Sequence, residues 1–296
     1  MQEGGVAIVT GGASGIGRAL CEALGKRRFD VVVADRQHDL AEAVAADICK
    51  RGPGRARAAS LDVRDFAAFE RLAKDTVSRF GRIDYLFNNA GIAVGGEMLA
   101  YEVTDWTDVI DVNLVGVTNG IQAVYPRMVE QRSGHIVNTA SVAGLIPSNI
   151  GSYTATKFAV VGLSKALRLE GKFSNVRCSV ICPGPIRTPI LTGGKFGRNR
   201  IPGFTDEMAE AMWRKSRPMD VDVFVERILP QVFADKGIII EPKIWRAVWL
   251  LERLAPSLGE TIAFLVLKKV KADMQKMTRA AAQQPRTGHT RSNAGA

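Results

Sequence analysis

The chain has 296 residues, 46% hydrophobic and 24% charged, with a formal net charge of +10. That balance fits one large globular domain, or a domain with an appendage, able to bury a core without disulfides. No uninterrupted apolar run approaches the length of a membrane span. From Lys268 onward, seven basic residues stand against Asp273 alone, so the excess charge is concentrated in a tail. A mildly basic body of this kind argues against nucleic acid as a partner. Cys21, Cys49, Cys178 and Cys182 are scattered and read as reduced core residues of a cytoplasmic protein. The three histidines do not cluster, so no metal site is expected. The amino terminus has no basic flank before its apolar run and is not expected to be a signal peptide.

Val6 to Thr10 reads as a buried strand, because its apolar run does not alternate. Gly11-Gly12-Ala13-Ser14-Gly15-Ile16-Gly17 follows, then a helical pattern from Arg18 to about Lys26. A glycine turn between strand and helix lets backbone approach a phosphate at the helix's positive end. It is equally what a tight turn needs. The second strand, Asp30 to Asp35, ends in an acid roughly 20 residues past the glycines, where a carboxylate can hold ribose hydroxyls. Asp35 repels a ribose phosphate and favours NAD, whereas Arg36 could bind that phosphate and admit NADP. Asp35 could also serve as a helix N-cap.

Helix from about Asp39 to Lys50, strand from Ala58 to Val63, helix from Asp65 to Phe80 and strand from Asp84 to Asn88 continue the alternation. Phe66, Phe69, Leu72 and Val77 form the buried stripe expected of the third helix. Strict alternation implies a parallel, doubly wound α/β sheet with ligands at the strands' carboxyl ends. Asp35, Asp62, Asn88 and Gly91 fall at such ends. One long helix is expected from Asp105 to Gln131. Asn113 inside it is mildly unfavourable and reads as a buried side chain bridging backbone groups. His135 opens the fifth strand and reads as structural.

Ser141 lies at the end of that strand. Tyr153 and Lys157 follow on a helix from Ser152 to Lys172, four apart and so on one face. A cation beside a phenol favours phenolate and lowers its pKa, which makes the tyrosine a plausible acid/base. The same spacing also occurs on solvated helix faces. After a sixth strand, Val176 to Cys182, the segment 188–216 is expected to form a mobile lid over an apolar substrate. Leu191, Phe196, Ile201 and Phe204 supply its apolar surface, with Met208, Met212 and Trp213 on a helix from Thr205 to Ser216. Filling the core is the alternative for these residues. A helix from Val221 to Phe233 and a seventh strand from Gly237 to Glu241 complete the first 241 residues.

Taken together, Thr10-Gly11-x-x-x-Gly15-Ile16-Gly17, Asp35, Asp62-Val63, Asn88-Asn89-Ala90-Gly91, Asn113, Ser141, Tyr153-x-x-x-Lys157 and Pro183-Gly184 resemble the short-chain dehydrogenase/reductase family, over about Gly4 to Glu241. The resemblance implies a Rossmann sheet of seven parallel strands in the order 3-2-1-4-5-6-7. It implies that Gly11, Ser14, Gly15, Ile16 and Gly17 cradle a pyrophosphate. Asp35 and Arg36 would face the adenosine ribose, and Asp62 and Val63 the adenine. Asn89, Ala90 and Gly91 would line the cofactor channel, and Pro183, Gly184, Ile186 and Thr188 the nicotinamide. Tyr153 would be the acid/base, Lys157 would bind the nicotinamide ribose, Ser141 would hold the substrate oxygen, and Asn113 would position a water behind Lys157. It also implies a homodimer or homotetramer.

The chain departs from the compact branch after Glu241. A helix from Pro242 to Leu254 and a basic amphipathic helix from Ser257 to about Arg279 are expected, making 242–279 a helical extension and 280–296 a disordered tail. The second helix could contact a membrane peripherally, or pack on its own body or a partner subunit. The expected activity is hydride transfer between NAD(P) and an apolar secondary alcohol or ketone, of lipid, steroid or retinoid type. A non-catalytic dinucleotide sensor is the alternative, although such a protein should have lost part of the catalytic set. A sugar-nucleotide epimerase would need a larger substrate domain and another glycine spacing.

Overall fold

The computed structural model describes residues 3–148, 150–191 and 197–283. Numbering the strands of the main sheet, β1 is Gly5–Thr10, β2 Phe29–Asp35, β3 Arg55–Ser60, β4 Tyr85–Asn88, β5 His135–Thr139, β6 Arg177–Pro183 and β7 Ile238–Glu241. All pair in parallel, in the order 3-2-1-4-5-6-7 expected from the resemblance. Their apolar runs are buried because helices cover both faces. One face packs on α1 (Gly15–Gly25), α2 (His38–Arg51) and α8 (Val221–Phe233), through Leu20, Leu24, Ile48, Phe224 and Ile228. The other packs on α3 (Phe66–Phe80), α5 (Gly116–Gln131) and α6 (Gly151–Glu170), through Phe69, Leu72, Ile121, Val124 and Val160.

Several boundaries differ from the sequence expectation. β3 begins at Arg55 rather than Ala58, because its Arg-Ala-Arg-Ala alternation suits a half-exposed edge strand and not an apolar run. On α3, Phe66 is exposed and Thr76 is buried in the stripe. Of the cysteines expected in the core, Cys21, Cys178 and Cys182 are buried there, whereas Cys49 is exposed. The long helix expected over 105–131 is three pieces: α4 (Val103–Ile110), a wide π-helical turn (Asp111–Val115) and α5. Asn113 sits in the wide turn, where its side chain bonds to backbone outside the helix. The segment 188–216, expected to be a lid, contains a short strand, Gly197–Asn199, which pairs in parallel with Ala93–Gly95. α7 (Asp206–Lys215) follows it.

Two helices follow the sheet: α9 (Ile244–Leu254) and α10 (Pro256–Gln283). The helix therefore continues past Arg279, into residues expected to be disordered. Phe196 and residues 284–296 lie outside the described residues. Among those described, no helix is long and apolar enough to cross a membrane.

Helix α5 approaches the sheet closely at Gly120. A Cβ there would lie 2.1 Å from Asn88 Oδ1 and 2.9 Å from Phe69 Cζ. Gly120→Ala gains up to about 1 kcal/mol of helix propensity but overpacks the interface by about 1–3 kcal/mol. The expected outcome is a net loss of stability, read as a lower urea midpoint at unchanged m-value.

Candidate active site

The first part of the site is the turn between β1 and α1. Gly11 and Gly15 have φ of +66° and +51°, in the left-handed region that glycine tolerates. A Cβ on Gly17 would stand 2.0 Å from Gly11 O, so the turn closes only with glycine there. Ser14 caps α1 without a side-chain hydrogen bond, and no acid lies in the first turn. The helix's positive end is thus left open to an anion. Ile16 lines the same cleft as Gly11, Ser14 and Gly15. Across it, Thr188 lies 3.4 Å from where a Gly15 Cβ would be, so the loop after β6 passes over the glycine turn.

Asp35 ends β2 buried, and its carboxylate accepts from Ala13 N at 3.0 Å and Gln37 N at 2.9 Å. It therefore ties the glycine turn to the second strand, and it still has lone pairs for a ligand. Arg36 is exposed beside it and lines the cleft. Asp62 and Val63 line the cleft past β3. Hydrogen bonding from Arg64, with Nε at 2.9 Å, holds the Asp62 carboxyl below its usual range.

The ends of β1, β4 and β5 are stapled together. Thr10 Oγ1 accepts from Asn89 N at 2.9 Å and Ala90 N at 3.1 Å, while Asn89 Nδ2 donates to Thr10 O at 3.1 Å. Gly91 continues this bend. A Cβ on it would lie 3.3 Å from Asn113 Oδ1 and 3.6 Å from Lys157 Nζ. Asn113 is buried, accepts from Ile92 N at 2.8 Å, and donates to Ile92 O at 2.9 Å and Thr156 Oγ1 at 3.3 Å. It bridges backbone groups, as the sequence reading had it, and at the same time borders the buried lysine.

Lys157 is buried, and its Nζ donates to Thr139 O at 2.8 Å and lies 5.4 Å from the Tyr153 ring centroid. Burial pulls its pKa down to about 8. Desolvation pushes the Tyr153 phenol up, against the opposing effect of its hydrogen bond with Ser141. The lowering expected from the Tyr-x-x-x-Lys spacing is therefore not the net effect of this chain's own groups, because desolvation is the larger influence on the phenol. Ser141 Oγ accepts from Ala143 N at 3.1 Å, and its reach to Pro183 O is a long 3.5 Å. Its proton is easily redirected toward a ligand oxygen. Burial pushes the neighbouring Cys182 thiol up to about 12, so it stays neutral beside this pair.

Ser141, Tyr153 and Lys157 share with the glycine turn, Asp35 and Gly91 one cleft, which Pro183, Gly184 and Ile186 also line, whereas Gly17 and Asn113 are not among its lining residues; its volume is ≈ 1080 Å³. That exceeds a single drug-sized pocket and accommodates a dinucleotide with a second ligand. From the segment 188–216, Ile190, Leu191 and Trp213 line it, whereas Phe204 is buried among its own neighbours. Beyond the undescribed stretch, Arg198 and Arg200 reach the fully buried Asp105 at 3.0 and 2.8 Å, and Arg200 reaches Glu102 at 3.0 Å. This anchoring was missed in the sequence, although alternating arginines on a short strand share a face. Thr139 and Thr156 were missed as well, since neither stands at a distinctive spacing.

The cradle fits a dinucleotide: glycines where a Cβ would block approach, an open helix N-terminus, and a carboxylate at the second strand's end. A family model described as short chain dehydrogenase matches residues 5–195. An uncharacterized oxidoreductase of Listeria innocua is 38% identical over 189 residues, covering 63% of this chain and 76% of that protein. A short-chain dehydrogenase/reductase from Burkholderia phymatum, solved in complex with NAD, superposes with a TM-score of 0.77 at 28% identity, over 86% of this chain and 95% of that one. A short-chain dehydrogenase from Sphingobium yanoikuyae, solved with NADPH, gives 0.70 at 28% identity over 86% and 95%. With the glycine turn, the strand order and these matches in agreement, the chain belongs to the short-chain dehydrogenase/reductase family of oxidoreductases.

Proposed function

We propose that this protein binds NAD(P), with NAD preferred, and interconverts an apolar secondary alcohol and its ketone. The observation that carries the reading is that Ser141, Tyr153 and Lys157 line the same cleft as the glycine turn and Asp35. The relatives solved with NAD and with NADPH support the cofactor class. The preference for NAD rests on the buried Asp35 carboxylate, whose charge opposes a ribose phosphate more closely than the exposed Arg36 can offset.

When bound, the nicotinamide supplies the hydride acceptor for oxidation or the donor for reduction. Ser141 holds the substrate oxygen with the hydroxyl proton that Ala143 leaves free. Tyr153 takes the alcohol proton during oxidation and returns it during reduction. Lys157, protonated at neutral pH, uses one N–H on Thr139 and has two for the ribose and the phenolic oxygen. Asn113 fixes the Ile92 backbone beside it and can hold a water on the second lone pair of Oδ1. Because oxidation needs the phenolate and reduction the phenol, kcat/KM for oxidation rises with pH.

Tyr153→Phe is expected to lower kcat at least 100-fold with cofactor affinity nearly unchanged; near-normal turnover in steady-state assays would remove the acid/base assignment. Tight cofactor binding without turnover of any alcohol would leave the chain as a sensor.

Comparison of cofactors tests the second part. NAD⁺ should give the higher kcat/KM, and Asp35→Ala should narrow the gap to NADP⁺ by about tenfold or more, equivalent to roughly 1.4 kcal/mol. A higher kcat/KM with NADP⁺ in the wild type would mean that Arg36 dominates.

Lys157 also makes stability depend on pH. Its folded pKa of about 8 lies below the ordinary 10.5. Below pH 8 the full penalty of burying the ammonium is present, of order 3 kcal/mol. Between these values the unfolded chain holds a proton that the folded chain has lost, so stability gained from this site rises with pH. In urea unfolding at pH 7 and pH 10, wild type relative to Lys157→Met should gain stability on going up. A constant difference would contradict the assignment.

A further inference from the structure

The cleft extends past Tyr153 to a wall made by α9 and α10. Trp245, Ile262, Val266 and Val270 line it there. The wall is fixed to the body by Trp245 and Trp249, which pack against the core, and by an ion pair of α10. A Cβ on Gly184 would stand 2.4 Å from Trp245 Nε1, so the indole abuts the loop that carries Pro183 and Gly184. Lys271 Nζ reaches Glu97 Oε1 at 2.9 Å, tying α10 to the loop after Ala93–Gly95. Ile262 and Val266 remain 42% and 57% exposed. They are apolar surface that a hydrocarbon lying in the cleft would cover.

Charge narrows the class further. Among the described lining residues, the cations are Arg36, beside the second strand's end, and Lys157, under Tyr153. The charged residues of the α9–α10 wall are Glu252 and Glu260. Arg253, next to Glu252, is stacked on Trp249 at 5.4 Å. An anionic group at this end would meet two carboxylates with no lining cation to pair with. We infer that the α9–α10 pair is the specificity-determining wall, selecting neutral alcohols with an extended hydrocarbon body and rejecting those with an anion at the far end. This rests on the proposed alcohol oxidation, and it depends on residues beyond the segment that carries the family resemblance.

The test uses the full chain with 2-alkanols from butanol to undecanol, and 10-hydroxyundecanoate as the anionic counterpart of the longest. In the wild type, kcat/KM should rise about threefold per added methylene until the wall is covered. It should fall at least tenfold when the far end is a carboxylate. The double variant Ile262→Ser, Val266→Ser should flatten the chain-length series, and Glu252→Gln, Glu260→Gln should narrow the discrimination against the acid. NAD affinity checks that each variant is folded. A second readout needs no turnover: titration of 2-decanol followed by tryptophan fluorescence should show at least tenfold weaker binding to the serine variant. If no alcohol is turned over but this binding difference appears, the wall stands and the proposed reaction fails. An unchanged series or unchanged 2-decanol binding in the serine variant overturns the wall, and equal use of the acid and the alcohol by the wild type overturns the role of the glutamates.

Discussion

The hydrogen bond from Lys157 to the carbonyl of Thr139 joins the two halves of this site. A buried ammonium is tolerated only where its protons find acceptors, and the free carbonyl at the end of a parallel strand is one. That bond fixes α6 against the end of β5, two residues before Ser141. Tyr153 is one turn earlier on the same helix, so its position follows from the same anchor. The lysine also shares the space beside Gly91 with Asn113, whose side chain holds Ile92. Sheet end, wide helical turn and α6 are thus locked around one cation.

Much of the architecture was legible because the strands of a doubly wound sheet are buried on both faces. Val6–Val9, Val31–Ala34 and Ile136–Val137 show as apolar runs with no competing periodicity, and their order followed from the resemblance. What failed to show were features set by tertiary contact. The wide turn at Asp111–Val115 breaks a helix whose sequence is uninterrupted, because Asn113 bonds to Ile92 outside it. β3 has an alternating edge pattern that an apolar-run criterion places three residues too late. Gly197–Asn199 is a strand only because Ala93–Gly95 is beside it and Asp105 holds Arg198 within it and Arg200 just after it.

The site divides in the same way. The glycine turn, Asp35, Ser141, Tyr153 and Lys157, which the structure gathers along one cleft, were readable as candidates from residue type and spacing. Thr139 acts through its backbone carbonyl and Thr156 through a hydroxyl at no distinctive spacing, so only geometry identifies them, whereas Thr10 stood in the motif and only its bonds to Asn89 and Ala90 needed the structure. The direction of the tyrosine's shift was also beyond the spacing. Four residues apart on a helix sets proximity, whereas desolvation depends on everything packed around the pair.

The proposed proton-transfer pair and the far end of the cleft sit on different parts of the chain. Tyr153 and Lys157 are held by α6 and the end of β5, whose positions are fixed by the sheet. The far end of the cleft is built from Leu191, Trp213, α9 and α10, which lie outside the sheet and contact it through points such as Trp245 on Gly184. Elements attached in this way can change length and polarity at little expense to the fold. Under the proposed function, an extension of two helices changes which molecule reaches Tyr153 and leaves the groups around Tyr153 as they are.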